Sequence, residues 1–333
     1  MLNYQKFLIK DFKNVVFLGY SKSFSEMKQI NSNLNIKTYI ITSPDQKKSF
    51  ISTDGVHVFK KIDKKFNDFI KQKINVNETL FVSIGCRWIF SKKIINNLFN
   101  NNLVNFHGTR LPYDQGGGDI SWKILRNDRI DNQLVHLMDS GIDTGPILMN
   151  ESSLIPHECK IPIDFKNYYN AKQIIFYKKF ITKLKNGDSL SLKHQVNYIG
   201  RYNPRLNTDI SGWINWNTSS IHLSRFINAF DEPYQGASTF VNGKKIRIKG
   251  ATLHGGDTSN HPFMTGIISR HDKNWLVVST TDQNMILIEK VINEKNKNIM
   301  TDLKPGDRFY TPSKNIDYTF SKIIKYNSLG LKD

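Results

Sequence analysis

Long apolar runs are missing from this 333-residue sequence. No stretch approaches the roughly 20 residues that a membrane-spanning helix needs. The opening MLNYQKFLIKDFKNVVFLGY lacks the basic head, apolar run and small-residue cleavage site of a secretory leader. The expectation is a soluble, cytoplasmic protein with no membrane partner. Cysteine is scarce as well. Cys86 and Cys159 lie far apart and form no metal-type spacing, so a disulfide framework and a cysteine metal site are both excluded, and both thiols read as packing residues. Neither G-x-G-x-x-G nor a Walker pattern occurs. The turn Gly19-Tyr20-Ser21 is a phosphate-loop candidate by position, but it lacks the pattern of a dinucleotide site. No internal repeat is present. Acidic residues are few, 29 against 47 Lys and Arg, which leaves a formal charge of +18. That balance suits anionic partners: RNA, acidic lipid or a phosphorylated small molecule. The basic residues are spread along an Asn-rich chain, so charge alone defines no nucleic-acid surface.

What is present is enough apolar material for real cores, 39% hydrophobic and 12% aromatic residues. The length favours two domains. Val15 to Gly19, Lys37 to Thr42, Thr79 to Gly85 and Leu103 to Phe106 are short β-branched runs that read as buried strands. Between them, Ser23 to Ile30, Phe66 to Ile74 and Ser91 to Leu98 have helical patterns, with Ser23 and Ser91 as caps. Strands alternating with helices predict a Rossmann-like parallel sheet covered on both faces. Its ligands would bind beyond the carboxyl ends of the strands, where Gly85, Asn105 and His107 fall. Asp119 to Arg126 reads as a helix, Gln133 to Met138 and Ile147 to Leu154 as strands, and Ile161 to Leu184 as a long amphipathic helix stopped by Asn186-Gly187-Asp188.

Character changes beyond residue 188. Residues 189–217 read as a linker with an aromatic cluster at Tyr198, Tyr202, Trp213 and Trp216. One helix follows, Ser219 to Phe230. Short strands then alternate with glycine turns, including the hairpin signal Asn242-Gly243. The expected organisation is an α/β catalytic domain over 1–188, the linker, and over 218–333 a domain of one helix and a small antiparallel β-barrel of the OB-like kind.

The chemically informative segment is NFHGTRLPYDQGGGDISW from Asn105, followed by HLMDSGIDTGPIL from His136. Asn105 and His107 point to the same side of a strand end. Gly108 and Pro112 force a turn, and Gly116-Gly117-Gly118 lets backbone approach a ligand. Asp143 sits in a glycine-flanked turn between two strands. An amide donor, an imidazole and a carboxylate are what acyl transfer to nitrogen needs: a donor for the developing oxyanion, a proton acceptor near the amine, and a group that orients it. His136 reads as a core or supporting histidine.

Asn105-Phe106-His107, Leu111-Pro112, Gly116-Gly117 and Asp139-x-Gly141-Ile142-Asp143-Thr144-Gly145 together resemble the folate-dependent formyltransferases. The match is specific over residues 75–155 and looser over the strands before it. It implies catalytic roles for Asn105, His107 and Asp143: oxyanion stabilisation, electrostatic assistance with proton shuttling, and orientation of His107 or a water with help in deprotonating the amine. It implies 10-formyltetrahydrofolate as co-substrate. The pterin would be held along Val82, Ile84, Gly85, Arg87, Trp88 and Ile89 and against the turn with Asp139, Gly141 and Ile142. No metal is implied, and no serine or cysteine nucleophile, because the folate already carries an activated formyl group. Residues 201–237 are similar to the linker and barrel entry shared by the methionyl-tRNA and sugar-nucleotide enzymes of the family. Gly116, Gly117, Arg201, Tyr202 and Arg205 are the acceptor-binding candidates, the arginines for phosphates and the tyrosine for a base.

Three departures from the family pattern stand out. Gly108-Thr109-Arg110-Leu111-Pro112 follows the histidine where the family usually has Ser-Leu-Leu-Pro, and Gln115-Gly116 stands where it usually has Arg-Gly. After Pro44-Asp45 only QKKSFISTDG follows, where the tRNA enzymes carry a basic, glycine-containing loop. The expectation is transfer to the amine of a nucleotide-linked amino-deoxysugar. The alternatives are a methionyl-tRNA formyltransferase acting on initiator tRNA and a non-enzymatic folate- or nucleotide-binding module. The resemblance also implies a homodimer.

Overall fold

The computed structural model describes residues 6–117, 119–196, 199–255, 260–327 and 330–332. Gly118 of the glycine triplet and Tyr198 of the aromatic cluster lie outside the described residues.

A minor strand, β1 (Lys6–Phe7), precedes the main sheet. Then come β2 (Asn14–Gly19), helix α1 (Phe24–Asn33), β3 (Lys37–Thr42), the short helix α2 (Pro44–Lys47), β4 (Val56–Val58), α3 (Lys64–Lys73), β5 (Thr79–Ile84), α4 (Lys92–Asn97) and β6 (Leu103–His107). After the loop strand β7 (Asp114–Gly116) come α5 (Asp119–Arg126), β8 (Ile130–Leu137), β9 (Ile147–Leu154) and the long helix α6 (Pro162–Lys185). The main sheet has seven strands in the order β4-β3-β2-β5-β6-β8-β9.

Strands β2 to β6 pair in parallel, as the alternating pattern predicts. The last two do not: β8 runs antiparallel to β6, and β9 antiparallel to β8. The sheet is therefore mostly parallel rather than wholly so. For β9 the reason is local: no helix crosses between β8 and β9, only the tight turn around Asp143, and a short connection can join only antiparallel neighbours. The capping serines differ too. Ser91 Oγ accepts from the Ile94 N–H, but Ser23 makes no side-chain cap bond. The cap of α3 is Asp63, which accepts from Phe66.

Two cores cover the faces of this sheet. On one, Phe17, Phe106 and Val135 meet Phe176, Tyr177 and Phe180 of α6. On the other, Val16, Leu18 and Phe81 meet Phe66, Ile70 and Phe99.

Beyond α6 lie β10 (Leu190–Ser191), which pairs with β1, and β11 (Arg201–Asn203), which pairs in parallel with β7. Helix α7 (Thr208–Ser211) and helix α8 (Ser220–Ala229) precede a six-stranded antiparallel sheet built from β12 (Ala237–Val241), β13 (Lys244–His254), β14 (Ile268–Asp272), β15 (Trp275–Ser279), β16 (Met285–Asn293) and β17 (Phe309–Tyr310). Its order is β14-β15-β16-β13-β12-β17. The outer strands meet at one point, where the Phe309 N–H donates to the Gly266 carbonyl at 2.8 Å and the Ile268 N–H to the Asp307 carbonyl at 2.8 Å. The result is a half-barrel. Its core is shared: Ile124 of α5, Ile155 just after β9 and Phe165 of α6 pack with Ile214, Trp216, Leu223 and Ile286 in one cluster. Apolar packing thus crosses the segment that reads as a linker. Among the described residues, no helix is long and apolar enough to cross a membrane.

Candidate active site

His107 ends β6 at the carboxyl edge of the main sheet, and Asn105 lies two residues earlier on the same face. Opposite Asn105 in the antiparallel register stands His136 of β8. The turn after β8 returns Asp143 to the same edge. His107 Nε2 and Asp143 Oδ2 are 3.4 Å apart, with the side chains 21% and 15% exposed. His107 Nε2 makes no hydrogen bond within the protein, so it is within ion-pair range of the carboxylate and still free for a reacting group.

The turn is shaped by backbone requirements. Asp143 has φ of 56°, a left-handed conformation that Asp tolerates and most residues resist. A Cβ on Gly145 would collide with the Leu137 carbonyl oxygen, which is why this position takes glycine. Gln195 Nε2 ties the turn down, donating to the Asp143 and Gly145 carbonyls at 2.9 and 2.6 Å. Asp139 Oδ1 accepts from the Gly141 N–H at 3.0 Å and from Thr144 Oγ1 at 2.6 Å. The Leu111–Pro112 peptide bond is cis.

His136 is buried and supports the other groups. Burial, and then the neighbouring His107 charge, lower its pKa from 6.5 to about 4. The ring is therefore neutral near pH 7. Its Nδ1 lies 2.8 Å from the Leu137 carbonyl, which can only accept, so Nδ1 carries the proton. Nε2 is then an acceptor for Asn105 Nδ2 at 3.3 Å. This contact fixes which end of the Asn105 amide is the donor. Asp143 Oδ1 is 3.9 Å from the same nitrogen.

A cavity of about 560 Å³ opens beside His107. Gly116, Gly117 and Arg205 line it, as do Tyr20 to Lys22 from the turn after β2 and Lys166, Tyr169 and Gln173 from α6. The other acceptor candidates sit elsewhere. Arg201 Nε donates to Asp114 at 2.7 Å, and this carboxylate also meets Arg126 at 3.3 Å and Asn203 at 3.2 Å. Burial pushes Asp114 up, but Arg201, Asn203 and Arg126 more than offset it and leave the carboxyl below its ordinary value. Arg201 therefore ties β11 to β7. Tyr202 packs over Gly116, whose φ of 93° and closeness to the Asn203 carbonyl require glycine. The Gly116 N–H points at Asp143 Oδ2 from 3.5 Å.

The positions assigned to the pterin form a second surface. Ile84 and Gly85 stand on the wall shared with the cavity. Val82 is wholly buried within β5, which pairs with β2 on one side and β6 on the other, so this position offers a ligand no surface. Ile89, after β5, and Ile142, in the turn after β8, are 90% and 65% exposed. Trp88 Nε1 is a buried donor without a partner. Arg87 Nε is held by Asp45 at 3.2 Å. Exposed apolar side chains with an orphaned donor behind them fit a flat heteroaromatic ring with a polar edge. Sequence reasoning missed Lys22, Lys166, Gln173 and Tyr169. A lysine in a turn and polar residues within an amphipathic helix carry no signal until the helix is laid across the strand ends.

Residues 208–304 match the family model described as formyl transferase, C-terminal domain. Methionyl-tRNA formyltransferase of Thermodesulfovibrio yellowstonii is 27% identical over 239 residues, covering 71% of this chain and 72% of its own. That of Ruminiclostridium cellulolyticum is 23% identical over 303 residues, covering 86% and 93%. The solved structures with the same fold include the N-formyltransferase of Helicobacter canadensis in complex with folinic acid and dTDP-3-aminofucose, at 18% identity and TM-score 0.64, covering 84% of this chain and 99% of its own. They also include WlaRD, a sugar 3N-formyl transferase, in the presence of dTDP and 5-N-formyl-THF, at 19% identity and TM-score 0.63, with coverage of 84% and 98%. With Asn105, His107 and Asp143 gathered at the sheet edge, the chain is similar over most of its length to methionyl-tRNA formyltransferases, and in fold to sugar N-formyltransferases.

Proposed function

We propose that the protein transfers the formyl group of 10-formyltetrahydrofolate to the amine of a nucleotide-linked amino-deoxysugar. The observation that carries this reading is the 3.4 Å approach of Asp143 to His107, which lines a cavity of about 560 Å³, a size suited to a small molecule. The folate supplies an activated formyl carbon, and this chain's residues do the rest. Asn105, with its amide oriented by His136, offers a donor to the oxygen that becomes anionic. His107 Nε2 faces the incoming amine, stabilises the charge that develops and shuttles its proton. Asp143 holds the imidazole and draws the proton away.

The pterin would rest against Ile89 and Ile142, with Trp88 Nε1 and the strand-end backbone reading its polar edge. The acceptor would enter from the opposite side, through the cavity between Tyr20 and α6. Sugar N-formyltransferases among the similar solved structures support this assignment of the acceptor. A second reading, formylation of initiator methionyl-tRNA, is favoured by the names of the curated relatives. Against it stands the brief Pro44 to Gly55 connection, where the sequence has no basic loop.

Incubating the purified chain with 10-formyltetrahydrofolate and either dTDP-3-aminofucose, other amino-sugar nucleotides or charged initiator tRNA separates these readings. Mass spectrometry of a formylated sugar nucleotide is the expected result. Formylation of the tRNA alone would replace it with the second reading, and no transfer to any amine would leave a folate-binding module.

A further inference from the structure

The cavity beside His107 is polarised from floor to mouth. On its floor lies Gln173 of α6, 1% exposed. Gln173 Nε2 donates to Tyr169 Oη at 2.7 Å, while Oε1 is buried without a partner. A buried carbonyl left bare is costly, so a donor is missing from the protein at this point. Thr109 Oγ1, also on the lining, is buried and unpartnered. Asp131 adds a buried carboxylate, which accepts from Gln133 at 2.9 Å. Lys123 is on the floor as well, but its ammonium donates to the Gly108 carbonyl at 3.0 Å.

The mouth has the opposite character. Lys22, from the turn after β2, and Lys166, from the first turns of α6, are both exposed and both line the opening. Neither has an ion-pair or hydrogen-bond partner among the described residues. They are close enough that partial burial, and then the Lys22 charge, lower the pKa of Lys166. Two ammonium groups brought together without a carboxylate repel each other, and a ligand anion between them removes that repulsion.

We propose that Lys22 and Lys166 hold a diphosphate of the acceptor at the cavity mouth, while Gln173 Oε1 takes a hydrogen bond from an N–H or O–H on the acceptor's inner part. The acceptor is then a dipolar molecule, with an anionic tail outside and a donor-bearing head beside His107. This rests on the reading of the cavity as the acceptor's seat.

Calorimetry on the full chain with dTDP, UDP and inorganic pyrophosphate tests the mouth. The wild type should bind at least one nucleoside diphosphate, more weakly as salt rises. The double substitution Lys22→Ala with Lys166→Ala should weaken it about 100-fold. Lys172→Ala, which removes a charge from α6 outside the cavity, should change it less than about twofold. Tighter binding of dTDP or UDP than of pyrophosphate would mark the nucleoside as part of the ligand. Equal binding would mark the site as one for the diphosphate alone, still as proposed. Unchanged affinity in the double variant, or no binding of any of the three anions to the wild type, overturns the proposal. For the floor, Gln173→Leu should leave dTDP affinity unchanged and weaken dTDP-3-aminofucose by about tenfold. Equal affinities for the sugar nucleotide in Gln173→Leu and wild type overturn that half. Lysine-dependent diphosphate binding without transfer to any amino sugar would refute the transfer reading and leave this site standing. Transfer with an unchanged KM in the double variant would do the reverse.

Discussion

Asn105 Nδ2 lies 3.3 Å from Nε2 of His136, directly across the antiparallel pair of β6 and β8. This contact couples the protonation of a buried imidazole to the orientation of the proposed oxyanion donor. The His136 pKa is lowered from 6.5 to about 4 in the fold, chiefly by burial. Between those values the unfolded chain binds the extra proton and the folded one does not, so folding stability falls as pH drops through that window. At full effect the loss is up to about 3 kcal/mol, and above pH 6.5 it vanishes. Urea melts at pH 7.5 and pH 5 check the sign. In His136→Asn the pH dependence should flatten, and a variant with an undiminished slope would remove His136 as its source.

Asp143 is the side chain whose loss should be most visible. Replacing it with Asn keeps the left-handed turn residue type but removes the charge near His107. Transfer should fall about 10²–10⁴-fold, while folate affinity should change far less, because the substitution leaves the exposed Ile89 and Ile142 side chains in place. Single-turnover rates and equilibrium folate binding measure the two effects independently.

Asn105→Ala should lower kcat about 10²–10³-fold, the usual consequence of removing one oxyanion donor. KM should change little, because the donor is needed as charge develops. Steady-state kinetics on both substrates would reveal a pure KM effect, which would place Asn105 in ground-state binding instead.

Arg201 donates to the buried Asp114, and so fastens β11 to β7 and the loop that carries Gly116 towards Asp143. Arg201→Ala should cost about 1–2 kcal/mol of stability, because Arg126 and Asn203 still satisfy Asp114. The KM of the acceptor should shift less than about twofold. A large rise in KM with no change in melting temperature would return Arg201 to the substrate.

Much of the fold is legible along the chain where one property repeats. The strand Lys37–Thr42 and the helix Asp119–Arg126 have the bounds that their patterns suggest. The direction of β8 and β9 is not legible in this way. An apolar run has the same pattern in either direction; the short turn at Asp143 sets β9 against β8, while the direction of β8 beside β6 comes from the path of the chain through β7 and α5. The barrel pattern is visible as hairpins, but the meeting of Gly266 with Phe309 depends on how far the sheet curls.

The candidate site divides in the same manner. Asn105, His107 and Asp143 stand out in the sequence as a combination, because their spacing with the surrounding glycines and Leu111-Pro112 resembles the folate-dependent formyltransferases, and the fold brings His107 and Asp143 to 3.4 Å. Only the tertiary structure decided that His136 orients Asn105, that Arg201 belongs to a strut, and that Lys22 and Gln173 share one cavity. Those relationships arise from packing between elements distant in sequence. Burial, the pKa of an imidazole and the missing partner of an amide are properties of the assembled neighbourhood rather than of any residue type.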